Sequence, residues 1–194
     1  MRTRDADRDD FLGNFLGWLE CDWAVEGSPV RRVLDVAIGD VVLDPRLGER
    51  PGSVLLVTVA GGTAARRLAR AVREVTVFDP SGLAYSELPA SRTADRGIVW
   101  ALGPSLADLP ARRYDAVVVD HLAMVLHADE VPEFVRDVRR LLVPGGLLVL
   151  ANACRALPGW DQGAASLGAA VSGLVGDPVL EQDLGSERIG AWRP

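Results

Sequence analysis

Short apolar runs alternate along this chain with stretches of helical periodicity, and glycine or proline breaks separate them. Val54 to Val59 is an uninterrupted β-branched and leucine run, as expected of a strand buried on both faces. Gly61 and Gly62 break it, and Thr63 can cap a helix over Ala64 to Arg73, with Leu68 and Val72 on one face. Further strands are expected at Glu74–Phe78, Gly97–Leu102, Tyr114–Val119 and Leu147–Ala151. A short helix is expected at Leu83–Leu88, a weak helical turn up to Leu109, and longer helices at about Asp129–Leu142 and Trp160–Val175. Val143-Pro144-Gly145-Gly146 reads as a strong stop and turn. Val179–Leu184 and Arg188–Trp192 can close the chain as an antiparallel pair of strands.

Strand and helix alternation with no internal repeat implies α/β architecture: a three-layer sandwich whose mostly parallel, seven-stranded sheet carries helices on both faces. Residues 51–194 supply this domain. Residues 1–50 read as an N-terminal helical extension, in which Phe11, Phe15, Trp18, Leu19 and Trp23 recur at helical spacing. That stripe serves either as a static cover or as a lid whose aromatics, Trp18 and Trp23, wall a substrate pocket. Arg31 to Leu43 fits a helix and a hairpin equally well.

Composition narrows the function. The 194 residues suffice for a sizeable core, and 48% hydrophobic with 25% charged residues is ordinary for a folded protein in water. A net charge of −6 argues against nucleic acid or an anionic membrane surface as partner. All 21 basic residues are arginine, so neither a Schiff-base lysine nor a P-loop lysine exists. Cys21 and Cys154 are too isolated for a disulfide framework. His121 and His127 have no obvious third ligand, so no metal is expected. No signal core or spanning segment is visible, and a cytoplasmic location is expected.

In parallel α/β sheets ligands sit beyond the carboxyl ends of the strands. A strand, a glycine turn and a helix N-terminus suit an anionic or polar ligand. The tips to interrogate are Ala60–Thr63, Asp79–Ser81, Pro104-Ser105, Asp120-His121 and Asn152–Arg155.

Four segments, LLVTVAGGTA, VTVFDPS, YDAVVVDHLAMVLH and FVRDVRRLLVPGGLLVLA, together resemble the class I S-adenosylmethionine (SAM)-dependent methyltransferases, small-molecule branch, over about residues 53–194. The last segment is the most specific. The resemblance implies a Rossmann-like fold, SAM as cofactor and a small-molecule substrate, such as a secondary metabolite. It places Ala60, Gly61, Gly62, Asp79, Pro80 and Ser105 against the cofactor, with Asp79 accepting from the ribose hydroxyls. A turn-forming role in Asp-Pro-Ser is the other reading of Asp79.

The first motif departs from the family pattern. Thr58 stands at the usual acid, and Ala60 and Ala64 at two of the three glycines; Pro104-Ser105 replaces the adenine-contacting acid after the third strand. Each lost charged hydrogen bond costs about 1.5–3 kcal/mol, or roughly ten- to a hundredfold in affinity.

Methyl transfer needs an oriented nucleophile and, for some acceptors, a base. His121 is the first candidate base, with Asp120 orienting it; His127 is the second, or else a helix-start residue. Arg155 can bind a substrate carboxylate or enolate. The competing function is a methyltransferase-fold protein that transfers no methyl group, either a cyclase or isomerase or a non-catalytic partner subunit. A nicotinamide-dependent oxidoreductase ranks last, because Ala60 and Ala64 occupy its glycine places. An exposed N-terminal aromatic helix would be the natural homodimer surface.

Overall fold

The structure, a computed structural model, describes residues 28–58, 63–79, 97–102, 106, 109, 114–154 and 163–194. Trp18, Trp23, Ala60, Gly61, Gly62, Pro80, Ser105, Arg155 and the short helix expected at Leu83–Leu88 lie outside these residues.

The ambiguous segment is a helix, α1 (Pro29–Val42). Ser28 caps it, its hydroxyl accepting from the Arg31 N–H at 3.0 Å, and Pro29 sits at the start, where a missing N–H costs nothing. Leu34, Ala37, Ile38, Val41 and Val42 are buried, whereas Val33 is 56% and Val36 44% exposed. Those two outward valines put apolar residues on both faces and explain why periodicity alone did not separate helix from hairpin.

The strands are β1 (Ser53–Val57), β2 (Glu74–Asp79), β3 (Ile98–Leu102), β4 (Tyr114–Asp120), β5 (Leu142–Ala153), β6 (Leu180–Asp183) and β7 (Glu187–Trp192). Helices α2 (Thr63–Ala69), α3 (Val131–Leu141) and α4 (Ala164–Val175) lie between them. The seven strands form one sheet in the order β3-β2-β1-β4-β5-β7-β6. Pairings from β3 through β5 are parallel, and β7 pairs antiparallel with both β5 and β6. Strand order therefore reverses between β1 and β4, and α/β sheets place their ligands at the carboxyl ends of such a pair.

Every residue of β1 is buried, as its unbroken apolar run requires. Its even positions, Val54 and Leu56, join Leu34 and Ile38 of α1 and Leu68 of α2 in one core. Leu55 and Val57 join Val135 and Val138 of α3 and Leu167 and Val171 of α4 in a second core on the other face. Three layers result, as the alternation implied.

Two local differences have clear causes. Helix α2 stops at Ala69, short of Arg73, because Ala71 and Val72 turn back to the Leu68 carbonyl to start β2. The Val143–Gly146 stretch is a bulge within β5 instead of a turn ahead of it, since Tyr114 pairs with Leu142 but Ala116 pairs with Leu147. Gly145 takes φ 74° there, a conformation that glycine adopts without strain. At the amino end of the sheet, Asp115 accepts from the N–H groups of Gly52 and Ser53, both at 2.8 Å, and locks β4 to β1.

Candidate functional site

Register brings three polar residues into one row at the carboxyl edge. Val57 pairs with Phe78 on one side and with Val119 on the other, so one residue later Thr58 stands between Asp79 and Asp120. The Thr58 N–H donates to the Phe78 carbonyl at 3.1 Å and carries the pairing that far. Parallel strands lie about 4.8 Å apart, which sets the two acidic positions roughly 10 Å from each other. Strand alternation places all three on the α1/α2 side, following Val77, Leu56 and Val118 on their own strands. All three are buried.

Asp120 is the most heavily engaged. Its Oδ2 accepts from the Thr58 hydroxyl at 3.0 Å and lies 2.7 Å from Arg31 Nη2. Its Oδ1 receives His121 Nδ1 at 2.7 Å. Arg31 comes from the first turn of α1 and is only 1% exposed. Its Nε donates to Asp35 Oδ1 at 2.8 Å, one helical turn along. The Nη2 contacts are close ion pairs, 2.6 Å to Asp35 and 2.7 Å to Asp120, held by charge more than by aligned N–H groups. Burial pushes the Asp120 carboxyl up, but the Arg31 charge and the His121 bond outweigh it and hold it well below the ordinary carboxylate range.

His121 follows β4 at φ 61°, and among the described residues it is the one non-glycine with positive φ. Such a conformation costs about 1–3 kcal/mol and needs the surroundings to enforce it. They do so through the backbone, where the His121 N–H donates to the Ala151 carbonyl at 2.7 Å, and through the ring, where Nε2 meets Glu187 Oε2 at 2.8 Å. Burial disfavours a charged ring, yet the bonds to Asp120 and Glu187 more than offset it and raise the imidazole above its ordinary 6.5.

The expected base is thus enclosed between two carboxylates and nearly fully buried. His127 stands apart from this cluster; it is exposed in the turn ahead of α3, and its N–H donates to the Glu130 carboxylate at 2.9 Å. Asp79 closes the row at the end of β2, fully buried. Asn152, at the tip of β5, is also buried.

Arg31, Asp35 and Glu187 are members of this cluster that sequence reasoning missed. Arg31 and Asp35 at i, i+4 offered a signal, whereas Glu187 had none, lying 66 residues from His121 in a closing strand.

The arrangement suits a polar ligand. Among the described residues Arg31 Nη1 and Asn152 Oδ1, both buried at this edge, meet no hydrogen-bond partner, a deficit that native proteins rarely leave uncompensated. The Asp79 carboxylate, at the end of β2 beside the start of the β1–α2 connection, has the acceptor chemistry that vicinal ribose hydroxyls require. Among the described residues no group of three His, Cys, Asp or Glu side chains could hold a metal ion, and no helix is long and apolar enough to cross a membrane.

Comparison with known proteins agrees with this fold. Residues 55–150 match the family model described as a methyltransferase domain. No curated protein matches the sequence. Among solved structures, the N-methyltransferase NodS from Bradyrhizobium japonicum WM9, in complex with S-adenosyl-L-homocysteine (SAH), is similar at 19% identity and TM-score 0.70, covering 90% of this chain and 92% of its own. The 1,6-didemethyltoxoflavin N1-methyltransferase of Burkholderia thailandensis is similar at 13% identity and TM-score 0.71, covering 100% of this chain and 91% of its own. A DhpI–SAM–HEP complex is similar at 17% identity and TM-score 0.72, with both chains covered completely. At such identities the likeness speaks for the fold alone.

Proposed function

Because this chain belongs to the methyltransferase-domain family, we propose that it is a SAM-dependent methyltransferase acting on a small molecule. One observation carries the reading: the Asp79–Thr58–Asp120 row lies across the strand-order reversal, with a buried carboxylate at the end of β2. SAM, when bound, would supply an electrophilic methyl group on a sulfonium centre. In this reading Asp79 accepts from the ribose hydroxyls. The same reading assigns Ala60, Gly61, Gly62, Pro80 and Ser105 to cofactor binding. Asp120 orders the rim by holding Thr58 and Arg31 in place.

Substrate-side roles for Trp18, Trp23 and Arg155, and a base role for His127, belong to the same proposal. So does a place in the cytoplasm and in secondary metabolism. The small-molecule class is supported by the Burkholderia enzyme, whose structure holds 1,6-didemethyltoxoflavin.

A second reading is favoured by Thr58. It stands where the glycine-rich first motif that this segment resembles has an acid, and its hydroxyl is committed to Asp120 instead of to a ligand. Together with Ala60 it motivates a methyltransferase-fold protein that transfers no methyl group. Thermal denaturation with SAM and SAH separates the two. A ligand at about 100 times its dissociation constant adds about 2.7 kcal/mol, which the first reading predicts as a clear rise in Tm. No rise at millimolar concentration of either compound would leave the second.

A further inference from the structure

The least expected member of the cluster is Glu187. It reaches the carboxyl edge from β7, the strand that runs antiparallel to β5, and it is 4% exposed. Its Oε2 lies 2.8 Å from His121 Nε2, while Asp120 Oδ1 lies 2.7 Å from Nδ1. A neutral imidazole carries one N–H, so with both acids ionised one of these contacts would set a ring lone pair against a carboxylate oxygen. Only the imidazolium donates to both. A ring in that state has no lone pair with which to accept a proton, and it is held in place at both ends.

We propose that Glu187 is a positioning residue: it keeps His121 as a doubly donating imidazolium, and that cation fixes the Asp120 carboxylate against Thr58 and Arg31 at the strand-tip row. His121 is then a cationic brace between β4 and β7 and not the base of the reaction. Among the described residues the charged groups that face it are Asp120 on β4 and Glu187 on β7, with Arg31 and Asp35 of α1 behind Asp120. Cys154, beyond β5, lies near enough to Glu187 to feel its charge. Among the described residues two cations thus meet three carboxylates, so removal of the His121 proton takes away one of the two positive charges that these contacts supply to Asp35, Asp120 and Glu187. Loss of that proton therefore acts on the rim through Asp120, whose oxygens hold both Thr58 and Arg31.

The effect on ligand binding rests on the methyltransferase reading; the state of the ring does not. The test is nitrogen-detected NMR of the two imidazoles across a pH series, in wild type and in Glu187→Gln, with calorimetric titration of SAH at the same pH values. The protein has only two histidines, and His127 is exposed, so the buried ring is readily assigned.

In wild type, His121 should show both N–H groups at neutral pH and titrate above the ordinary imidazole value. Glutamine accepts from or donates to Nε2 equally well but brings no charge, so Glu187→Gln should move the His121 midpoint down by about 1–3 pH units. Its SAH affinity should then fall about tenfold between about pH 6 and about pH 8, where wild type stays flat. A singly protonated His121 in wild type at pH 7 overturns the proposal, and that spectrum needs no variant to fold. An unchanged His121 midpoint in Glu187→Gln overturns it too. Absence of SAH binding in wild type, with His121 doubly protonated, would instead defeat the methyltransferase reading and leave the brace standing.

Discussion

The Thr58 hydroxyl donates to Asp120 Oδ2 at 3.0 Å across the β1–β4 boundary, joining two strands at the point where the order of the sheet reverses. The glycine-rich first motif that this segment resembles has an acid at the position of Thr58. In this chain the carboxylate at that spot comes from the neighbouring strand, and Thr58 supplies the donor that a carboxylate beside it needs.

This relationship predicts opposite outcomes for two changes at one position. Thr58→Ser keeps the hydroxyl and should cost less than about 1 kcal/mol; Thr58→Val removes the donor from a buried charged acceptor and should cost about 1.5–3 kcal/mol. Thr58→Asp should be the worst of the three, because it sets a second buried carboxylate against Asp120. Urea unfolding of the three variants tests the order. A Thr58→Asp protein as stable as wild type would contradict the pairing.

Arg31 lies between Asp35 and Asp120 with almost no exposure to water. Arg31→Met keeps the bulk of the side chain but removes the buried cation that Asp35 and Asp120 share, and should cost about 3–5 kcal/mol. Lysine should not rescue it, since a single ammonium cannot reproduce the fork that meets both acids. Chemical denaturation reads the loss. A change under about 1 kcal/mol would mean that the charges are solvated and not buried together.

Stability should depend on pH in a direction fixed by the two shifted groups. The His121 pKa is raised in the folded state, so its contribution is complete below its ordinary 6.5 and is lost as pH rises through the folded value. The Asp120 pKa is lowered, so its contribution is complete above its ordinary 3.8 and is lost as pH falls through the folded value. Between those ordinary values both contribute fully, and the alkaline limb belongs to His121. Urea midpoints should decline as pH rises above neutrality. A rise in stability from about pH 6 to about pH 9 would contradict the assignment.

Gly190, opposite Leu150 in the β5–β7 pairing, makes room for an aromatic neighbour. A Cβ at that position would lie 2.3 Å from Cη2 of Trp192, whose ring is buried and whose Nε1 donates to the Ser172 hydroxyl at 3.1 Å. Gly190→Ala should therefore cost about 1–3 kcal/mol by displacing the ring, with loss of the link from β7 to α4. Equal urea midpoints for variant and wild type would show that Trp192 moves at no cost.

Much of the fold was legible because burial on both faces writes itself into composition. The β-branched runs of β1, β2, β4 and β5 need no partner information, and the Val131–Leu141 stripe marks its own inner face. Helix α1 was ambiguous because Val33 and Val36 face outward. The bulge in β5 was read as a turn because Pro-Gly-Gly chemistry is the same in both, and only the pairing with Tyr114 and Ala116 distinguishes them. At the site, strand-end logic located Asp79, Asp120 and His121 at the correct edge. It did not foresee that His121 would be enclosed, because Glu187 is brought there by an antiparallel return that no local pattern announces.

The central claim, a SAM site with Asp79 on the ribose, is tested most directly by calorimetric titration of SAH into wild type and into Asp79→Ala at near-neutral pH. Binding by wild type and a loss of at least about tenfold in the variant, the scale of one charged hydrogen bond or more, is the result predicted. Equal affinities for the two proteins, or no heat of binding by wild type at millimolar SAH, would contradict it.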